Sequence, residues 1–229
     1  MNAAHRLAII TGASRGIGHA TAEAFNAAGW QVVGLSRSPC APFVQHIPAD
    51  LTDPGFVSDI SPALSAAAEG VEAICLVHNA AVLESDSAVN VDPARFAAVL
   101  QLNVIAAAQL NQLLRPLMGA GSSILYVGST LGTKAVAGVC SYVTSKHAVT
   151  GLMRATCQDL IGSGIHTACV CPGFTDTEML RDRAGNDAEV LDSLAAGVAL
   201  GRLAEPQEIA SVLLFCAGNP VLNGALIDA

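Results

Sequence analysis

A tyrosine and a lysine stand four residues apart in a stretch whose pattern predicts a helix. They are Tyr142 and Lys146, in a chain of 229 residues that contains only two tyrosines and two lysines. Residues at positions i and i+4 lie on the same helix face. An ammonium group close to a phenol favours the phenolate and lowers the pKa of the phenol. A phenol in this setting can protonate a developing alkoxide, or accept a proton in the reverse reaction.

The free energy needed to lower the pKa of such a phenol can be supplied in good part by a nearby cation. Moving a phenol pKa from about 10 toward 7 requires roughly 4 kcal/mol, and a cation nearby in a site drier than water supplies a good part of it. The alternative is a surface pair without chemistry. Ser129 argues against that alternative, because it follows a predicted strand whose carboxyl end should border a ligand crevice. Its hydroxyl can hold a substrate oxygen, although an ordinary turn serine would fit the same pattern.

A glycine-rich turn separates the first predicted strand from the first predicted helix. It reads Thr11-Gly12-Ala13-Ser14-Arg15-Gly16-Ile17-Gly18. The three glycines allow a sharp turn and a close approach to a ligand, and the free N–H groups at the helix start attract an anion. A tight βα turn is the simpler alternative. The position between a strand and a helix favours a dinucleotide pyrophosphate site.

The end of the second predicted strand carries an arginine and no acidic residue. It reads Gly34-Leu35-Ser36-Arg37-Ser38. A carboxylate at this place binds the ribose 2′-hydroxyl of NAD, whereas an arginine accommodates the 2′-phosphate of NADP. Arg15 can add a second guanidinium, whose fork of donors suits a phosphate. We therefore predict NADP(H) as cofactor, with NAD(H) and two solvated surface arginines as the alternative.

Short apolar runs alternate with longer helical patterns along the chain. The predicted strands cover 7–10, 31–35, 44–47, 73–77, 123–127, 165–171 and 225–228, and the predicted helices 16–28, 54–68, 93–118, 141–161 and 206–216. Two helices should begin at Asp-Pro pairs, Asp53-Pro54 and Asp92-Pro93, with the aspartate as N-cap. The alternation predicts an α/β fold. It is a Rossmann-like doubly wound parallel β-sheet flanked by helices on both faces, in a single catalytic domain over 1–229.

Two segments depart from the alternation. The stretch between Arg37 and Val44 is too short for a crossover helix and should be a loop. The stretch 175–202 follows a strand, contains three glycines and is predicted to be a mobile substrate lid.

Composition narrows the class of protein. Hydrophobic residues make up 52% and charged residues 13%, which favours a large buried core. The net charge of −8 disfavours nucleic acid and anionic membranes as partners, and we expect no membrane-spanning segment. The seven cysteines, an odd number without a metal-ligand spacing, favour reduced thiols in the cytoplasm and no metal site. Cys169 and Cys171 should share one face of a strand.

The order and spacing of these motifs resemble the short-chain dehydrogenase/reductase family, in its small single-domain branch. The resemblance spans nearly the whole chain. It implies hydride transfer between a nicotinamide and a carbonyl carbon, with Tyr142 as proton donor and Ser129 positioning the oxygen. The matching pieces are Thr11-Gly12-x-x-x-Gly16-x-Gly18, Asp50-Leu51, His78-Asn79-Ala80-Ala81, Asn103, Gly128-Ser129, Tyr142-x-x-x-Lys146 and Pro172-Gly173.

The resemblance also implies roles for residues that the pattern alone leaves open. Asn103 would complete a proton relay to Lys146 through water, although a core asparagine bound to backbone is the simpler interpretation. Asp50 would bind the adenine, Asn79 would lie along the adenosine ribose and Lys146 would hold the nicotinamide ribose. The cofactor site would comprise Gly12, Ser14, Arg15, Gly16, Ile17, Gly18, Arg37, Asp50, Leu51, Asn79, Ala80, Tyr142, Lys146, Pro172, Gly173, Thr175 and Thr177.

The substrate is less well defined by the sequence. His78 replaces the usual asparagine of the family, and we expect it to be structural. The family implies a homodimer or homotetramer built through 93–118 and 141–161. The candidate pocket residues are mostly apolar and favour a small apolar carbonyl compound or alcohol; they are Val82, Leu83, Leu131, Val136, Ala137, Val139, Phe174, Met179 and Leu180.

Other functions compete with this one. A 3-oxoacyl-carrier-protein-type reductase is one alternative, but a net charge of −8 would attract an acidic carrier protein poorly. A non-catalytic NADP-responsive binding protein with the same fold is another. An epimerase or dehydratase would normally have a longer substrate domain.

Overall fold

The computed structural model describes residues 5–229, which form one seven-stranded sheet. The strand order is β3-β2-β1-β4-β5-β6-β7, and every pairing is parallel. The sheet is thus the doubly wound parallel sheet that the alternation predicted. The strands are β1 Arg6–Thr11, β2 Gln31–Ser36, β3 Gln45–Pro48, β4 Ala73–His78, β5 Ser123–Val127, β6 His166–Cys171 and β7 Ala225–Asp228.

Helices cover both faces of the sheet, as predicted. On one face, α1 and α8 pack against each other over a core that includes Phe25 and Leu213. On the other face, α2, α4 and α5 bury Ile60, Leu110 and Met153. The helices are α1 Gly16–Ala27, α2 Phe56–Ala67, α3 Pro93–Leu100, α4 Ala106–Leu114, α5 Cys140–Asp159, α6 Glu178–Arg183, α7 Ala188–Ala196 and α8 Pro206–Ala217.

The two Asp-Pro pairs behave differently. Asp92 caps α3 as predicted, since its side chain accepts from the N–H of Ala94 at 2.8 Å. The prediction that Asp53 caps a helix beginning at Pro54 was wrong. The Asp53 carboxylate instead accepts from Gly55 N at 2.8 Å, in a turn of the kind that aspartate favours. Helix α2 therefore begins only at Phe56.

The predicted long helix at 93–118 is interrupted by a π-helical turn. This turn, Gln101–Ile105, joins α3 to α4, and a short 3-10 turn, Arg115–Leu117, follows α4. A π-turn carries an extra residue and often marks a functional site. The stretch Pro93–Leu117 is 25 residues long with a hydropathy of 1.3, which by length and composition alone would suffice to cross a membrane. Two of its leucines, Leu110 and Leu114, are fully buried in the core, as in a helix that packs on a sheet.

The segment at 175–202 contains two short helices that the sequence pattern did not predict. Thr177 caps α6 and Asp187 caps α7, each through a side-chain oxygen that accepts a backbone N–H. Neither helix has a buried residue. The loop between β2 and β3 contains no helix, in agreement with its short length.

Candidate active site

The glycine-rich turn connects β1 to α1 at the carboxyl end of the sheet. Gly12 and Gly16 have φ angles of +67° and +54°, in the region that glycine adopts most easily. An added Cβ on Gly18 would lie 2.2 Å from the carbonyl oxygen of Gly12. The turn is therefore too tight to accommodate any side chain at position 18.

A threonine and an asparagine brace this turn against the neighbouring strand. Thr11 Oγ1 accepts from the N–H groups of Asn79 and Ala80, both at 2.9 Å. The Asn79 amide donates to Thr11 O at 2.9 Å and to Gly12 O at 3.3 Å. The role of Thr11 was missed from the sequence; its only signal was a polar residue directly before the first glycine.

Two exposed arginines flank the turn. Arg15 is the N-cap of α1, and Arg37 directly follows β2. Among residues 5–229, neither has a carboxylate oxygen within 4.0 Å. The pKa of the Asp50 carboxyl is lowered, mainly because the hydroxyl and N–H of Thr52 donate to it and to a smaller extent because of the charge of Arg37. Two positive groups are thus free to bind an anion next to the glycines.

The structure places Tyr142 and Lys146 near the end of β5, the strand that Ser129 follows. Lys146 is buried, and its ammonium nitrogen donates to the carbonyl of Val127 at 2.8 Å. The same nitrogen lies 5.5 Å from the centroid of the half-buried Tyr142 ring. Ser129 follows two residues after Val127, and its Oγ accepts from Leu131 N at 3.1 Å. The ammonium is therefore anchored beside the Tyr142 ring, on the strand that Ser129 follows.

Asn103 lies at the centre of the π-turn, and its side chain is fully engaged. Its Oδ1 accepts from Val82 N at 2.9 Å, while its Nδ2 donates to Val82 O at 3.0 Å and to Ser145 Oγ at 2.9 Å. It thus ties the loop after β4 to helix α5. Beside it lies a cavity of about 10 Å³ that Lys146 also lines, which is room for about one water molecule.

A buried polar chain begins at His78, which lines the same cavity, as does Tyr126. His78 Nε2 donates to Asn111 Oδ1 at 2.8 Å, and Asn111 Nδ2 donates to the Tyr126 hydroxyl at 2.7 Å. Tyr126 in turn bonds Thr156 Oγ1 at 3.0 Å. Burial lowers the pKa of His78 to about 4, so its ring is neutral near pH 7. This agrees with the structural role expected for His78.

The two cysteines of β6 share one face, as predicted. Their sulfur atoms are 3.7 Å apart, and a Cβ on Gly128 would lie 2.7 Å from one and 2.8 Å from the other. A glycine is thus required directly before Ser129. All seven cysteines are free thiols. Within residues 5–229, no three His, Cys, Asp or Glu side chains are grouped as metal ligands.

The segment after β6 runs from the loop of Ser129 to the glycine turn. Thr130 N donates to Pro172 O at 3.1 Å, which joins this segment to the loop of Ser129. Further along, Thr177 Cγ2 lies 3.4 Å and Glu178 Oε2 lies 3.5 Å from the Cβ position of Gly16. Thr177 therefore lies beside the turn, whereas Pro172 and Thr175, also predicted to contact the cofactor, are buried. Leu51 too is buried, with its side chain in the core, so it can offer a ligand only its backbone.

Several apolar residues that were predicted to line the substrate pocket are exposed. Val136, Phe174 and Met179 are exposed by 54%, 43% and 37%. Val139, which we expected to line the pocket, is buried instead and forms a backbone bridge to Asp86. The exposed Val136, Phe174 and Met179 thus lie in the loop before α5, the segment after β6 and helix α6, respectively.

Comparison with known proteins agrees with this geometry. A family model described as enoyl-(acyl carrier protein) reductase, of the short-chain dehydrogenase/reductase type, matches residues 12–221. The 3-oxoacyl-(acyl-carrier-protein) reductase FabG of Vibrio cholerae is 29% identical over 228 residues, which cover 95% of this chain and 91% of the relative. The 2,3-dihydro-2,3-dihydroxybenzoate dehydrogenase of Escherichia coli is 32% identical over 234 residues, 96% of this chain and 92% of that protein.

A solved structure extends the comparison to three dimensions. The RhlG/NADP active-site complex of Pseudomonas aeruginosa superimposes with a TM-score of 0.88 at 27% identity, over 98% of this chain and 94% of that one. The similarity in both sequence and fold extends along nearly the whole chain and identifies its family. The chain belongs to the short-chain dehydrogenase/reductase family, whose members act on CH–OH and C=O groups.

Proposed function

We propose that this enzyme uses NADP(H) to interconvert a carbonyl and an alcohol on a small, mainly apolar substrate. The observation that carries the proposal is the position of the Lys146 ammonium, anchored on Val127 O and 5.5 Å from the Tyr142 ring. An ammonium in this place stabilises a phenolate and has no other described anionic partner.

The chemistry of the chain itself follows from this arrangement. Ser129 Oγ accepts from Leu131 N, so its hydroxyl hydrogen remains free to donate to the substrate oxygen. The Tyr142 hydroxyl gives its proton to that oxygen as negative charge develops there, and Lys146 stabilises the phenolate that results. When bound, a reduced nicotinamide supplies the hydride. Asn103 acts by holding the loop after β4 against α5, with the small cavity between it and Lys146 as the place for a relay water.

The glycine turn and the two arginines support the choice of cofactor. The backbone of Gly12 and Gly16 and the free N–H groups at the start of α1 fit a pyrophosphate. Arg37 and Arg15 fit the 2′-phosphate of NADP, and the superimposed Pseudomonas aeruginosa complex contains NADP. Asp50 lies beside Arg37 and retains a carboxylate for the adenine.

A carrier-protein substrate is the second candidate. It is favoured by the name of the Vibrio cholerae relative and by the description of the matching family model. The net charge of −8 speaks against efficient steering of an acidic carrier. If a carrier-bound substrate is the natural one, the enzyme should reduce a 3-oxoacyl thioester on its carrier much faster than the same free thioester. The main proposal expects no such preference.

We further propose a homodimer or homotetramer in the cytoplasm, assembled through the helical stretches 93–117 and 140–159. The exposed apolar residues Ile105 and Leu117 support this surface, and the free thiols suit a reducing compartment.

The function is tested with a panel of ketones, aldehydes and alcohols, with the absorbance of reduced nicotinamide as the signal. We expect turnover with NADPH of at least one apolar carbonyl compound. Absence of turnover on the whole panel, with protein that binds NADPH normally, would favour the non-catalytic binding protein.

A further inference from the structure

Arg183, the exposed last residue of α6, contacts the loop after β4 and the loop before α5. Its Nη1 donates to the hydroxyl of Ser85, in the loop after β4. Its Nη2 lies 3.4 Å from the Cβ position of Gly138, in the loop before α5. Beneath it, Asp86 N donates to Gly138 O at 3.2 Å, which joins these two loops. The guanidinium therefore lies where helix α6, the loop after β4 and the loop before α5 meet.

This guanidinium carries a charge that no carboxylate of the described chain balances. Arg95, Arg181 and Arg202 each bind a carboxylate, while Arg183 has none within 4.0 Å.

The acidic groups on the neighbouring loop are already engaged. Glu84 pairs with Arg95, and Asp86 Oδ1 accepts from Ser141 N at 3.0 Å. A cation with only a serine hydroxyl as partner, beside the loop that leads into Tyr142 in a chain of net charge −8, fits an anion that arrives with the substrate.

We propose that the substrate carries a carboxylate, which Arg183 and Ser85 bind while the carbonyl lies at Tyr142 and Ser129. The inference rests on the proposed function. The planar fork of an arginine matches a carboxylate, and the Ser85 hydroxyl, which accepts from Arg183, has its own hydrogen free to donate. Gly138 precedes Tyr142 by four residues, so their Cα atoms are at most about 14 Å apart. The Arg183 and Tyr142 side chains cover part of that distance, and a ring or short chain between carboxylate and carbonyl can cover the rest. Apolar Val136 and Phe174 suit such a spacer.

The test compares oxo acids with their neutral methyl esters. The probes are 4-oxopentanoate, 4-oxocyclohexanecarboxylate and 4-acetylbenzoate, each with its methyl ester, under saturating NADPH. We expect kcat/KM to favour at least one acid over its ester by about tenfold, the usual size of a lost charged hydrogen bond. Arg183→Gln should bring that ratio close to one, mainly through KM, while the rate on the ester changes little.

Arg154→Gln is the matched control, because it removes the same charge from an exposed position on α5, about 18 Å along the helix from Tyr142. It should keep the preference for the acid. The inference is overturned if esters are reduced as well as acids by the unmodified enzyme, or if Arg183→Gln keeps the ratio; both results leave the proposed function standing. Failure to turn over any carbonyl compound overturns both.

Discussion

Replacing Gly18 by alanine should destabilise the protein and weaken dinucleotide binding, although alanine is the better helix former. Within a helix, alanine is favoured over glycine by about 1 kcal/mol. At Gly18, however, the new Cβ would lie 2.2 Å from Gly12 O and 2.5 Å from Asn79 Nδ2. Gly12 belongs to the turn and Asn79 braces it, and both must move by about an ångström to make room. Such overpacking typically lowers the free energy of unfolding by about 1–3 kcal/mol. Loss of the bond between Asn79 and Gly12 adds about 1 kcal/mol.

The net effect is a loss of about 1–3 kcal/mol in the free energy of unfolding, once the helix preference is subtracted. For a chain of this size each kcal/mol lowers Tm by about 2–4 °C. Urea unfolding and NADPH titration measure the two effects. Because the displaced atoms form the phosphate turn, the Kd for NADPH should rise more than tenfold.

A second glycine provides the control. Gly151 lies inside α5 with no atom within 4 Å of its Cβ position, so Gly151→Ala should stabilise the protein by about 0.4–1 kcal/mol and leave NADPH binding unchanged. If Gly18→Ala is as stable as the unmodified protein and binds NADPH equally well, the tight closure of the turn is refuted.

Three further predictions concern the cofactor, the lid and pH. Arg37→Gln should weaken NADPH binding at least tenfold and leave NADH binding nearly unchanged; equal losses for both cofactors in a fluorescence titration would contradict the NADP assignment. Because Glu178 lies beside the glycine turn, NADPH should displace the segment 175–202 and change its rate of limited proteolysis, and identical cleavage with and without NADPH would rule out the proposed lid. The pKa of His78 is lowered from 6.5 to about 4, so between these pH values the unfolded chain binds a proton that the folded chain does not. The free energy of unfolding should therefore fall by of order 3 kcal/mol between pH 6.5 and 4. Urea unfolding of His78→Asn should show a smaller fall, and an equal fall would show that another group is responsible.

Features that depend on local pattern could be predicted from the sequence. The strands 123–127 and 225–228 were located to the residue, because turn residues bound each apolar run. The pairing of Tyr142 with Lys146 followed from helical spacing alone, and the shared face of Cys169 and Cys171 from strand spacing. These features need only the periodicity of the chain.

Features that depend on contacts between distant segments could not be predicted. The π-turn contains Asn103, whose side chain binds Val82 and Ser145, on other elements. The buried chain from His78 to Thr156 joins residues of two strands and two helices. Arg183 meets Ser85 across 98 positions of sequence. Asp53 was misassigned for a local reason, because an aspartate before proline favours a turn as readily as a helix cap.

The most direct test of the central claim is the Tyr142→Phe variant, which removes one hydroxyl and leaves the ring beside Lys146. We predict that it binds NADPH with the Kd of the unmodified enzyme and reduces the best carbonyl substrate at least a thousandfold more slowly. Turnover within threefold of the unmodified enzyme, with unchanged NADPH affinity, would contradict the assignment of Tyr142 as the proton donor.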